Sequence, residues 1–100
     1  MKITNEDKKQ LRRLGHKINP VVTVATKGLS ENVLAEINRA LIDHELIKIK
    51  LSHSDRQSRA HTIEIIHKKC GAEVVQSVGH VLLVLKKSDE PNPKLSNLLR

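Results

Sequence analysis

The sequence predicts an α/β domain of the α+β type, ordered α-β-α-β-α-β-β, in which three helices pack on one four-stranded mixed sheet. Segments with apolar residues at helical spacing alternate with short segments of strand pattern, and the last two strand patterns meet at a hairpin signal, Gly79-His80. A length of 100 residues with 38% hydrophobic content supplies one core and no second. The order of the strands within the sheet is left open.

Thr4 followed by Asp7 is a helix-start signal, and Leu11, Leu14 and Ile18 recur at helical spacing, so the first helix is expected from about Asn5 to His16. Lys9, Arg12, Arg13, His16 and Lys17 fall on the opposite side of the helical wheel and form a basic ridge toward solvent. Pro20 ends the helical pattern, and Val21 to Val24 read as the first strand. Ser30 caps the second helix, with Leu29 and Leu34 as a hydrophobic staple and Val33, Leu34, Ile37, Ala40 and Leu41 as its buried face. From Leu46 the pattern alternates: Ile47, Ile49 and Leu51 point one way, Lys48 and Lys50 the other. Ser54 with Gln57 forms a capping box for a third helix whose stripe is Ala60, Ile63 and Ile66 and which stops at Gly71, leaving Ile65 off the stripe. Glu73 to Val78 and Val81 to Lys86 are the last two strands. Two prolines after Lys87 take the chain out of the fold as a tail, in which Leu95, Leu98 and Leu99 suit a docked helical turn.

Charge narrows the partners. Eighteen Lys and Arg against 11 Asp and Glu give a net charge of +7, spread over both halves, and a pI near 9.9. Such a surface attracts polyanions; its plain alternative is a mildly basic solvated surface. The N-terminal stretch MKITNEDKKQ has no apolar core of a signal peptide and no aliphatic run is long enough to span a bilayer, so a cytoplasmic protein without membrane contact is expected. Cys70 is alone, which leaves a small buried thiol and no internal disulfide.

No catalytic or metal-binding arrangement emerges. The six histidines include no pair at helical clamp spacing, and none of Ser30, Ser52 and Ser54 sits in a nucleophile motif. Asp43-His44-Glu45 reads as a solvated helix end with its histidine near the C-terminal dipole. No enzyme, metal, cofactor or small-molecule substrate is expected. The stretch NPVVTVATKGLSENV instead runs from a strand through a glycine-containing turn into a helix start, which aims backbone N–H groups, a helix dipole and Lys27 at one point suited to a phosphate. Thr26-Lys27-Gly28 reverses the ending of a nucleotide-binding P-loop, so a phosphate of a polymer fits better than a triphosphate. With no Phe, Tyr or Trp, the chain lacks the stacking platforms of RNA-recognition sheets and OB-folds.

Four stretches, LRRLGHKINPVV from Leu11, KGLSENVLAEI from Lys27, HELIKIKL from His44 and QSVGHVLLVLK from Gln76, resemble in order and spacing the YhbY type. This is the stand-alone bacterial form of the CRM domain (chloroplast RNA splicing and ribosome maturation). The resemblance covers about Thr4 to Lys86. It implies a fold like the C-terminal domain of bacterial translation initiation factor three, an RNA-binding role, and association with precursors of the large ribosomal subunit. The family's GxxG loop falls on Ala25-Thr26-Lys27-Gly28, with Ala25 in place of the first glycine. Leu85-Lys86 stands where the family often has an aromatic followed by a basic residue.

The expectation is therefore a monomeric RNA-binding factor of large-subunit assembly. Residues 1–87 form the CRM-type RNA-binding domain and residues 88–100 the C-terminal tail. Thr26, Lys27 and Gly28 grip rRNA phosphates at the start of the second helix, Lys9, Arg12, Arg13 and Lys17 contact neighbouring phosphates, and Lys48 and Lys50 form a second RNA patch. The alternative is a non-enzymatic protein–protein adaptor on ribosomal particles, its charge serving long-range steering.

Overall fold

A computed structural model describes residues 4–25, 28–52, 55–87 and 95–98. Its elements are α1 (Asn5–Gly15), β1 (Pro20–Val24), α2 (Glu31–His44), β2 (Leu46–Leu51), α3 (Arg56–Cys70), β3 (Glu73–Val78) and β4 (Val81–Leu85), in the expected order. They build the expected three helices and one four-stranded mixed sheet, ordered β1-β2-β4-β3. β1 runs parallel to β2; β4 is antiparallel to both β2 and β3. β1 is an edge strand, where Pro20 deprives no central ladder of a donor.

The helix starts follow from their caps. Thr4 Oγ1 accepts from Asp7 N at 3.1 Å and Asp7 Oδ2 accepts from Thr4 N at 3.3 Å, a full capping box. Ser30 Oγ accepts from Val33 N at 3.1 Å. The third start differs from the expectation: Asp55 is the cap, accepting from Ser58 N at 2.7 Å and Ser58 Oγ at 2.8 Å. A carboxylate offers two charged acceptors to the positive end of a helix, where a hydroxyl offers one neutral one. Ser54 lies outside the described residues. The apolar stripe of α3 is rotated to match: Thr62, Ile66 and Cys70 are buried and Ile63 packs beside them, while Ala60 faces solvent. Ile65 is half-buried.

The sheet is covered on both faces, unequally. α2 and α3 bury Ile37, Leu41, Ile66 and Cys70 against Val22, Val24, Ile47, Ile49, Leu51, Leu82 and Val84. On the other face α1 covers only one end, where Leu11 and Leu14 meet Leu46, Val75, Leu83 and Leu85. Its close approach depends on Gly15, where an added Cβ would lie 2.7 Å from Leu83 Cδ2. The Lys48–Lys50 face of β2 is thus apolar at Leu46 and basic beyond it.

Residues 95–98 close the covered end as a docked turn. Asn97 N donates to His44 O at 2.9 Å, Asn97 Nδ2 to Leu46 O at 2.6 Å, and the buried Ser96 donates through Oγ to Glu45 Oε1 at 2.6 Å. Leu98 joins the α1-side apolar cluster, and Leu99 lies outside the described residues. The end of α2 is consequently not solvated as expected: Glu45 is 3% exposed, and His44 is half-buried under Leu95.

Candidate nucleic-acid interface

β1 ends at Val24 and α2 begins after Ser30, so the turn between them opens onto the start of a 14-residue helix. Gly28 N donates to Ala25 O at 2.9 Å, closing the turn. Gly28 has φ +93°, a backbone conformation that side chains with a Cβ adopt at a cost. Thr26 and Lys27 lie outside the described residues.

Register brings the basic residues of helix and sheet together. Thr23 pairs with Lys50, Lys50 with Val81 and Val81 with Val78, forming one row across all four strands at the end where the β1–α2 turn emerges. Thr23, Lys50 and Val78 in this row are exposed. The next row, Lys48–Leu83–Gln76, runs under the edge of α1. There a groove of about 350 Å³ is lined by Arg12 and His16 from α1, Lys48 from β2, and Gln76, Val78, Val81 and Leu83 from the hairpin. Arg12 folds along its own helix, its Nε donating to Lys8 O at 3.3 Å.

The expected site residues thus divide into groups. Arg12 and Lys48, read in the sequence as parts of two patches, share one groove; Lys50 continues it toward the β1–α2 turn. Lys9 and Arg13 are exposed on α1. Lys17 sits apart, in a recess with Pro20, His44 and Asn97 at the far end of β1. Gly15, Gln76, Val78 and Val81 were not among the expected site residues. The glycine inside a helical pattern was the available signal for the first, whereas the other three required knowledge of which strands are neighbours.

Three histidines serve the fold. His44 Nδ1 lies 2.8 Å from Leu95 O, His67 Nδ1 2.7 Å from Ala72 O and His80 Nδ1 2.9 Å from Leu51 O. Carbonyls only accept, so each Nδ1 carries the proton. Among the described residues no group of His, Cys, Asp and Glu is arranged to hold a metal ion, and no helix is long and apolar enough to cross a membrane. Burial pushes the Cys70 thiol up, so the buried thiol stays protonated at neutral pH.

Fold and surface define a class: a small mixed-sheet α+β domain with a basic helix-and-sheet face beside a glycine turn. Within it, the chain belongs to the CRS1 / YhbY (CRM) domain family, whose model matches residues 3–86. It is 45% identical over 100 residues to a probable RNA-binding protein of Pseudomonas aeruginosa, covering 100% of this chain and 96% of that one. It is 40% identical over 93 residues to an RNA-binding protein of Haemophilus influenzae, covering 93% of this chain and 94% of that one. The solution structure of a Staphylococcus aureus protein matches with a TM-score of 0.78 and 27% identity, over 89% of this chain and 93% of that one.

Proposed function

We propose that this protein binds RNA, without catalysis, as an assembly factor that holds rRNA in precursors of the large ribosomal subunit. The observation that carries the reading is the convergence of Arg12, Lys48 and Lys50 on the open part of the sheet, at the end where the β1–α2 turn emerges. Relatives named for RNA binding across nearly their whole length support it. In this reading Thr26, Lys27 and Gly28 take one phosphate at the start of α2, where unpaired N–H groups and the helix dipole favour an anion. Arg12, Lys48 and Lys50 take the neighbouring phosphates, Lys9 and Arg13 extend the positive field along α1, and Lys17 adds to it from beyond the end of that helix. Phosphate contacts fix position rather than sequence, which suits a structured RNA recognised by shape.

The test is sedimentation of a cell extract through a sucrose gradient at low and moderate salt, following this protein across ribosomal fractions. The expected result is a peak with large-subunit precursors that a Lys27→Glu variant loses. Protein that stays at the top of the gradient at both salts overturns the ribosomal assignment.

A further inference from the structure

We propose that the groove between α1 and the β3–β4 hairpin is a pocket for one unpaired nucleotide of the bound RNA, an inference that rests on the RNA-binding reading above. The groove differs in kind from the rest of the basic face. Its floor is aliphatic: Val78, Val81 and Leu83 lie side by side through the pairings Val78–Val81 and Leu83–Gln76. Val78 is 61% exposed, a large apolar side chain held open to solvent. The rims carry the cations Arg12 of α1 and Lys48 of β2, with His16 of the α1 end beside them. Gln76, half-buried at the inner wall, contributes both an amide donor and an amide acceptor.

A nucleotide is the ligand whose chemistry repeats this pattern: a flat, weakly polar base with a hydrogen-bonding edge, joined to an anionic phosphate. The base covers the valines, its edge meets the Gln76 amide, and the phosphate lies between Arg12 and Lys48. A paired base keeps both faces inside the stack and its edge occupied, so only an unpaired, splayed-out nucleotide enters. With no Phe, Tyr or Trp in the chain, the valines take the role that such a ring would have under the base. At about 350 Å³ the space falls in the range of pockets for small ligands, roughly 300–1,000 Å³, and admits one base, not a run of them.

The experiment is an NMR titration of the full chain with 5′-AMP, 5′-CMP, 5′-GMP and 5′-UMP, with ribose 5-phosphate as the control that has no base. The expected result is that nucleotides shift the methyl signals of Val78, Val81 and Leu83 together with the side-chain amide of Gln76, while ribose 5-phosphate moves none of these. A Val78→Ser variant, altered at an exposed position and so expected to fold, weakens nucleotide binding by about three- to tenfold through lost apolar contact. It leaves the affinity for a fully paired RNA duplex within about twofold, since a duplex is held through its phosphates. Nucleotides that act like ribose 5-phosphate, while the protein still binds duplex RNA, overturn the pocket and leave the RNA-binding reading standing. Failure to bind either duplex or single-stranded RNA overturns the RNA-binding reading, and the pocket as an RNA subsite falls with it.

Discussion

Gly28 shows how one residue ties backbone conformation to the proposed chemistry. An added Cβ there meets no atom within 4 Å, so a substitution is penalised by its φ of +93° alone. Gly28→Ala is expected to lower stability by roughly 1–2 kcal/mol in a urea titration, the cost of forcing a Cβ into left-handed backbone. Its RNA affinity should fall as well, because relaxing φ re-aims the turn; an unchanged affinity would detach the turn from binding. Asp55 gives a second residue-scale prediction, in pH. The Ser58 backbone N–H and hydroxyl hold its carboxyl below the usual aspartate range. A carboxyl depressed in the folded state stabilises above its unfolded value, and that contribution is lost as pH falls through the lower folded value. Asp55→Asn keeps an acceptor for the helix start but does not titrate. The melting temperatures of the two proteins should therefore differ most at neutral pH, begin to converge only below about pH 4, the ordinary aspartate value, and meet once pH has fallen through the lower folded value.

At the scale of elements, α1 is a helix pressed onto a sheet at a glycine. In an exposed helix Gly→Ala gains up to about 1 kcal/mol from propensity, whereas overpacking a core costs roughly 1–3 kcal/mol. Leu83 is 2% exposed and a Cβ at position 15 would lie 2.7 Å from its Cδ2, so the buried leucine has to shift and the second effect is expected to win. Gly15→Ala is expected to destabilise by roughly 1–2 kcal/mol. Adding Leu83→Val, which withdraws the colliding methyl, should recover part of that loss as a coupling in a double-mutant cycle. Thr4 with Asp7, Ser30, and the alternation of Ile47, Lys48, Ile49 and Lys50 are local signals, and each element appears where they place it. At α3 the local pattern pointed to Ser54, whereas the cap is Asp55, whose carboxylate accepts from both Ser58 N and Ser58 Oγ on a helix that buries Thr62, Ile66 and Cys70. The groove was less legible still. That Arg12, Lys48 and Val78 meet follows from β4 lying between β2 and β3 and from α1 crossing that face, and neither is written in any short pattern.

At the scale of the whole molecule, the two ends of the sheet carry different tasks. One end presents the β1–α2 turn, Lys50 and the mouth of the groove; the other is closed by α1 and residues 95–98. The closing turn has a physical reason to be there. Glu45 has φ +61°, in the left-handed region, and its carboxylate is buried, so the chain leaves α2 through a conformation that needs support. Ser96 supplies a hydroxyl to that carboxylate, Lys86 N donates to Glu45 O at 2.8 Å, and Asn97 bridges to His44 and Leu46 on either side. Truncation after Lys87 removes three of these hydrogen bonds and the apolar cover of Leu98. At about 1 kcal/mol net for each bond, offset by the entropy regained by the freed residues, the loss should be roughly 1–3 kcal/mol. Because the contacts lie at the end of the sheet opposite the groove, the truncated protein should unfold earlier in a thermal scan yet bind RNA as tightly as the full chain well below its melting temperature. A truncated protein that melts normally but loses RNA affinity would instead move residues 88–100 into the interface.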